Sequence, residues 1–253
     1  MELGLSGKRF LVTGGTRGIG RAIVEGLLAE GAAVAYCART VDAVTAAQTA
    51  LSRDGATVLG TAVDVGETEA LTQWVTESAD ALGGVDGVVA NVSSLAIPDT
   101  TENWRTSFGV DMMGTVGLVD AALPYLLADG EGSIVTVSSV SGREIDFTAG
   151  PYGTMKAAII HYTQGLAYKL AGRGVRANTV SPGNTYFEGG IWPSIEQNDP
   201  KLFAAALALN PTGRMATPQE IANAVVFLSS SAASFISGTN LVVDGALTRG
   251  VQF

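Results

Sequence analysis

The chain has 253 residues, of which 47% are hydrophobic and 15% charged, and its formal net charge is −9. This balance suits a folded α/β protein with one domain over residues 1–253 and excludes a disordered chain. The negative charge excludes a basic nucleic-acid surface, and no apolar run reaches the ~18 residues of a membrane span. The first residues lack a signal-peptide pattern. We therefore expect a soluble cytoplasmic protein without nucleic-acid or membrane partners.

Apolar, strand-length runs alternate with helical periodicity along the chain, which is typical of βαβ units in a parallel sheet. The strand composition, rich in Val, Ile and Leu, indicates a sheet covered on both faces. One irregular stretch, 184–209, has a helical patch over 200–209. The predicted strands are 9–13, 33–37, 57–63, 87–91, 133–137, 176–180 and 240–243. The predicted helices are 18–30, 41–53, 67–82, 103–127, 152–171 and 218–229.

The first strand runs into a glycine-rich turn, Gly14-Gly15-Thr16-Arg17-Gly18-Ile19-Gly20, and a helix follows. Glycines permit the tight turn and let the backbone approach a pyrophosphate at the helix N-terminus. Such a turn also occurs as a simple strand–helix corner. Its position directly after the first strand favours a dinucleotide site.

The chain has one cysteine, Cys37, and one histidine, His161. One cysteine excludes an internal disulfide, and the pair cannot supply a structural zinc site. We expect no metal, with Cys37 packed in the second strand and His161 in the core or an interface. A serine hydrolase is disfavoured, because no G-x-S-x-G turn accompanies the lone histidine.

Tyr152 and Lys156 are separated by one helical turn, so their side chains share a face, and Ser139 follows a buried strand. An ammonium beside a phenol favours the phenolate. Tyr152 could then donate a proton to a carbonyl oxygen or take one from an alcohol, while a serine hydroxyl holds that oxygen. Alone, the spacing also fits a solvated helix face. Ser138 competes for the serine role, and the spacing to Tyr152 favours Ser139.

These motifs resemble those of the short-chain dehydrogenase/reductase family, over nearly the whole chain. The resemblance also includes Asp64-Val65, Asn178-Thr179-Val180-Ser181-Pro182-Gly183, Ser237-Gly238 and Val242-Val243-Asp244-Gly245. It implies an α/β fold, a single doubly wound Rossmann domain whose seven-stranded parallel sheet has the order 3-2-1-4-5-6-7, with helices on both faces. It also implies a homotetramer and a substrate lid over about 184–209.

The cofactor expected from this resemblance is NADP(H). The second strand ends in Ala38 where NAD-linked members carry an acidic residue, and Arg39 follows. Arg39 and Arg17 together could bind the 2′-phosphate of NADP(H). The alternative is that both arginines are ordinary surface charges. The expected cofactor contacts are Gly14, Thr16, Arg17, Gly18, Ile19, Gly20, Arg39, Thr40, Asp64, Val65, Asn91, Ser93, Tyr152, Lys156, Pro182, Gly183 and Thr185.

The resemblance implies Tyr152 as general acid or base, Ser139 as the group that positions the substrate oxygen, and Lys156 beside both Tyr152 and the nicotinamide ribose. Two residues depart from the family pattern. Ser93 replaces a glycine, and Asp111 replaces the asparagine that is the fourth catalytic residue. We expect Asp111 to keep a helix kink and a water-binding carbonyl in place, so that Asp111→Asn preserves turnover. The alternative is that its carboxylate is used, by pairing with Lys156 through water or by taking a proton, in which case the same change slows the chemical step.

The sequence therefore predicts an NADP-dependent oxidoreductase that acts on a ketone or secondary alcohol. Two alternatives stay open: an NAD-dependent dehydrogenase of the same fold, and a catalytically silent nucleotide sensor or scaffold. The aromatic and aliphatic residues near the expected pocket favour an apolar or cyclic substrate. These residues are Ile97, Phe147, Phe187, Ile191, Trp192 and Phe203.

Overall fold

A computed structural model describes residues 2–52, 55–128 and 130–251. Its sheet has seven parallel strands in the order β3-β2-β1-β4-β5-β6-β7, which confirms the predicted fold class. The strands are β1 (Arg9–Thr13), β2 (Ala33–Ala38), β3 (Val58–Ala62), β4 (Gly87–Ala90), β5 (Ser133–Val137), β6 (Arg176–Pro182) and β7 (Asn240–Val243).

Helices connect these strands, and their bounds match the periodicity except in two places. The α-helices are α1 (Gly18–Ala29), α2 (Val41–Leu51), α3 (Thr68–Leu82), α4 (Thr101–Ser107), α5 (Gly114–Leu126), α6 (Pro151–Leu170), α7 (Ile191–Asn198), α8 (Pro200–Leu209) and α9 (Pro218–Ser229). The predicted helix 103–127 is instead split by a π-helical segment, Phe108–Met113. Helix α7 was not predicted. Arg53, the predicted end of α2, lies outside the described residues.

The five inner strands bury both faces, because successive side chains point to opposite sides of a sheet, whereas the edge strands β3 and β7 are partly exposed. Val12 packs in a cluster with α1, α2 and α9. Its neighbour Leu11 packs with α3, α5 and α6 on the other face. Cys37 lies fully buried on that second face, and burial raises the pKa of its thiol to about 12. The prediction that Cys37 packs in the sheet is confirmed.

The His161 side chain is exposed on α6, which excludes the core placement and leaves the interface placement as a prediction. It shares an exposed stripe with Ala157, Gln164 and Tyr168, which follow one another at helical spacing. The opposite face of α6 carries the apolar residues that meet the sheet.

The residues after β6 form two short helices beside the sheet. Trp192 of α7, Ala206 of α8 and Met215 make a small apolar cluster of their own. A β-bridge between Thr185 and Ala216 closes the base of this segment. Within the described part of the chain, no helix is long and apolar enough to cross a membrane.

The strand order determines where a ligand could bind. Strand β1 lies between β2 and β4, so the chain's direction of winding reverses between β1 and β4. In an open parallel sheet a crevice forms at the carboxyl ends of the strands at such a reversal. The glycine-rich turn follows β1 at this position.

Candidate active site

A cavity of about 460 Å³ lies over the carboxyl ends of the strands. Nearly all of the sequence-predicted site residues line it. The two exceptions are Gly18 and Asp111. A second cavity of the same volume lies at the amino ends of the strands, and none of the predicted residues lines it. The residues predicted from separate motifs therefore meet around one space.

Close backbone packing explains the glycines of the first turn. Gly14 has φ +75°, and a Cβ there would lie 2.9 Å from the Asn91 side-chain nitrogen. A Cβ on Gly20 would collide with the Gly14 carbonyl. No side-chain hydrogen bond caps the start of α1. The first-turn amides of this helix can therefore bind an anion in the cavity.

Asn91 fastens the end of β4 to this turn. Its side-chain amide donates to the carbonyls of Thr13, at 3.1 Å, and Gly14, at 3.4 Å. Its backbone N–H donates to Thr13 Oγ1 at 3.0 Å. Ser93, the departure from the usual glycine, accepts the N–H of Leu95 at 3.2 Å, and Leu95 has φ +50°. Its hydroxyl thus stabilises a turn in the cavity wall.

The two arginines lie in different environments. Arg39 is exposed on the cavity rim, and it has no hydrogen-bond or ion-pair partner within the described part of the chain. Arg17 Nη1 donates to the Gly189 carbonyl at 2.9 Å. The Phe187 ring covers Gly18 beside this contact, which explains why Gly18 does not line the cavity. The segment after β6 therefore touches the glycine-rich turn at two points that the sequence did not predict.

Asp64 lies on the cavity wall beyond β3 and is exposed. Its Oδ1 accepts the backbone N–H of Gly66 at 2.9 Å. A carboxylate oxygen has room for more than one donor, and the second oxygen is also available. Asp64 can thus accept a hydrogen bond from a ligand amino group in the cavity.

Helix α6 begins with Pro151, and Tyr152 and Lys156 follow on successive turns facing the cavity. Lys156 Nζ lies 5.6 Å from the centre of the Tyr152 ring and donates to the Val137 carbonyl at 3.2 Å. The Lys156 side chain is only 2% exposed. A buried ammonium beside a phenol is the arrangement that acid–base chemistry by a tyrosine requires.

The two candidate serines have different partners. Ser138 Oγ donates to the Lys156 carbonyl at 2.8 Å, so its hydroxyl holds α6 against β5. Ser139 Oγ accepts the Ser141 N–H at 3.1 Å and lies 3.2 Å from the Ser141 hydroxyl. Both of these Ser139 contacts lie within the turn that follows β5, whereas Ser138 contacts α6. This difference favours Ser139 as the serine that a substrate could reach.

Asp111 lies behind the cavity wall in the π-helical segment and is fully buried. Its Oδ2 accepts the N–H of Ser94 at 3.0 Å and the Ser94 hydroxyl at 2.6 Å. Its Oδ1 is 3.5 Å from Lys156 Nζ. Its carbonyl accepts the Thr115 hydroxyl at 2.7 Å. The helix is irregular at Asp111 as expected, and its carboxylate faces Lys156 directly, which favours the alternative in which the carboxylate is used over a purely structural role.

An aromatic group borders the other end of the cavity. The Trp192 ring is buried, and it meets Phe147 edge to face at 5.9 Å and Phe203 at 6.3 Å. Tyr186 donates to Glu196 at 2.6 Å, and this hydrogen bond raises the pKa of the phenol. Of the six predicted pocket residues, Phe187, Ile191 and Trp192 line the cavity.

Known proteins resemble this chain over nearly its whole length. The family model described as enoyl-(acyl carrier protein) reductase matches residues 14–248. The chain is 42% identical to isoepoxydon dehydrogenase patN of Penicillium expansum, over 100% of this chain and 99% of the relative.

Solved structures with the same fold are also found. L-Sorbose reductase from Gluconobacter frateurii, complexed with NADPH and L-sorbose, has a TM-score of 0.91 and 29% identity, covering 99% of this chain and 100% of the other. An NADPH-bound short-chain oxidoreductase of Pseudomonas aeruginosa with an atypical catalytic centre has a TM-score of 0.89 and 30% identity, covering 98% and 99%. A 7α-hydroxysteroid dehydrogenase complexed with NADH and 7-oxo glycochenodeoxycholic acid has a TM-score of 0.90 and 26% identity, covering 97% and 96%.

Proposed function

Because the chain belongs to the short-chain dehydrogenase/reductase family, we propose that it is an NADP(H)-dependent oxidoreductase of ketones or secondary alcohols. One observation carries the proposal. Tyr152, Lys156 and Ser139 line the same cavity as the glycine-rich turn. A cofactor on that turn and a substrate oxygen near Tyr152 would share one space.

In this mechanism the bound cofactor supplies or accepts the hydride, and the side chains handle the oxygen and its proton. Ser139 donates a hydrogen bond that holds the substrate oxygen. Tyr152 gives its proton to that oxygen during reduction and takes one during oxidation. The Lys156 ammonium, 5.6 Å from the Tyr152 ring, places a positive charge beside the phenol that exchanges the proton.

The preference for NADP(H) is supported by charge. Arg39 is unpaired among the described residues, follows an alanine rather than an acidic residue, and lies with Arg17 on the cavity wall. A guanidinium pair suits a 2′-phosphate. The NADPH named in two of the matched structures supports the same choice. The NADH named in a third keeps an NAD-linked enzyme as the second candidate.

We further propose that the segment 184–209 is a lid over the substrate. Its hydrogen bond to Arg17 and its Phe187 ring over Gly18 support a closed position beside the cofactor turn. Trp192 and Ile191 give the cavity an apolar end, which suits a ring-bearing substrate. Isoepoxydon, named in the relative from Penicillium expansum, is therefore the first compound to assay.

A homotetramer in the cytoplasm is also part of the proposal. The exposed stripe of α6, namely Ala157, His161, Gln164 and Tyr168, offers a surface for a second copy. Tyr168 is 89% exposed, although α6 is otherwise packed against the sheet. A large aromatic side chain in such a stripe is a common interface anchor.

The test is a panel of cyclic ketones and alcohols, with isoepoxydon first, assayed with NADPH, NADH and their oxidised forms. Turnover of at least one compound, with preference for the phosphorylated cofactor, is expected. The Tyr152→Phe enzyme is the control, since it keeps the ring and loses the hydroxyl. Cofactor binding without turnover of any compound would favour the silent-sensor alternative.

A further inference from the structure

Three side chains meet at the wall of the cavity. Ser94 from the loop after β4 and Lys156 from α6 line the cavity, and Asp111 from the π-helical segment lies behind them. Asp111 and Lys156 are 0% and 2% exposed. An isolated buried charge is strongly unfavourable, so a buried carboxylate requires a compensating charge or several hydrogen-bond donors. Asp111 has both.

The donors are divided unequally between the two carboxylate oxygens. Oδ2 accepts both polar hydrogens of Ser94, at 3.0 Å from the backbone nitrogen and 2.6 Å from the hydroxyl. Oδ1 has no hydrogen-bond partner among the described residues and faces Lys156 Nζ at 3.5 Å. Because a carboxylate only accepts hydrogen bonds, a serine hydroxyl fits beside it without leaving an unpaired donor.

We propose that Asp111 is the buried counter-ion of Lys156, and that Ser94 is the positioning residue that aims its free oxygen at the ammonium. This inference rests on the proposed function, in which Lys156 assists Tyr152. The asparagine expected at this position carries no charge. This chain therefore has an ion pair where the family pattern has a neutral group, and Ser94 holds that pair in place.

The charged or titratable groups that face the pair are few. Helix α6 contributes Lys156 itself and Tyr152, strand β5 contributes the neutral Val137 carbonyl, and the loop after β4 contributes the neutral Ser94. A negative charge beside Lys156 weakens its positive field at Tyr152. Removing that charge makes the phenolate easier to form.

The first experiment changes Ser94 and measures single-turnover hydride transfer at saturating NADP(H) and substrate. Ser94→Ala should slow this step by about tenfold, the usual effect of losing a hydrogen bond to a charged group. Ser94→Thr, which keeps the hydroxyl, should restore most of the rate. The matched control is Ser107→Ala: Ser107 is also buried, its hydroxyl has no partner within the described chain, and it lies outside the proposed machinery. Equal rates for Ser94→Ala and Ser107→Ala, or equal losses in the Ala and Thr variants, would overturn the role of Ser94.

The second experiment changes Asp111 and measures the pH dependence of alcohol oxidation. Asp111→Asn should move the acid limb of the profile to lower pH, because the phenolate forms more easily without the counter-ion. The direct contact with Lys156 also replaces the sequence-based expectation that this variant preserves turnover: the step should slow by tenfold or more, because the new amide presents a donor to an ammonium. An acid limb that superposes on that of the unmodified enzyme would overturn the counter-ion role, whatever the rate.

A measurement without substrate separates this inference from the proposed function. In urea unfolding, the shift of the Ser94→Ala, Asp111→Asn double variant should differ from the sum of the two single shifts, because the two side chains are in direct contact. Additive shifts would overturn the Ser94–Asp111 link. An enzyme that turns over no compound, yet shows this non-additivity, would refute the proposed function and leave the buried pair supported.

Discussion

Arg39→Asp gives a direct test of cofactor choice, because Arg39 is exposed on the cavity rim and has no partner within the described part of the chain. Removing it should disturb little of the fold. A hydrogen bond to a charged group contributes roughly 1.5–3 kcal/mol, which is about ten- to a hundredfold in affinity. Solvent exposure reduces the attraction towards the lower value, while the new carboxylate adds repulsion of a 2′-phosphate.

We therefore expect the KM for NADPH to rise by at least about tenfold and the KM for NADH to change by less than about threefold. Steady-state kinetics with both cofactors at a fixed substrate concentration measures the two effects. Arg173→Asp is the matched control, since Arg173 is an exposed arginine at the opposite, amino-terminal edge of the sheet. Equal increases for NADPH and NADH, or the same increase in the control, would refute the reasoning.

Three further predictions concern substrate, pH and assembly. Trp192→Ala should raise the substrate KM more than the cofactor KM, because Trp192 lines the apolar end of the cavity; equal effects in kinetics would contradict this. Burial disfavours the Asp86 carboxylate, but hydrogen bonds and charge from Arg9 outweigh it and lower its pKa, so Asp86→Asn should lose about 1.5–3 kcal/mol of unfolding free energy at neutral pH. That difference, measured by urea titration, should begin to shrink as pH falls through ~3.9, the pKa of the unfolded carboxyl, and should be lost only below the lower pKa of the folded carboxyl; a constant difference would contradict the pairing. Light scattering should give a tetramer for the unmodified chain and smaller species for Tyr168→Asp, and a monomeric unmodified protein would contradict the interface.

The sheet and the cofactor turn could be predicted because their signals are local. A strand-length apolar run, followed at once by Gly14 and the glycines after it, specifies a tight turn that the sheet then positions. Gly14 packs closely against Asn91, and Gly20 packs closely against the Gly14 carbonyl, in agreement with that prediction. The strand order followed from a family resemblance that several motifs carried together.

What the sequence did not reveal depends on contacts between distant residues. The sequence offered a pairing of Asp111 with Lys156 only as a water-mediated alternative. The direct contact joins two helices that are separate in the chain, and Ser94 joins them from a third place. The hydrogen bond of Arg17 to Gly189 likewise spans most of the chain. No local pattern marks such partners. Ser94 would have been a usable signal only with the strand order already known, because only then could its loop be placed beside Asp111.

The central claim is that Tyr152 transfers the proton while NADP(H) exchanges a hydride with a ketone or alcohol. The most direct measurement is single-turnover nicotinamide absorbance with a substrate from the panel, for the unmodified enzyme and for Tyr152→Phe. We predict that the variant binds NADPH with unchanged affinity and slows hydride transfer by roughly 10²–10⁴-fold. A rate within about threefold of the unmodified enzyme, at the same cofactor occupancy, would contradict the account.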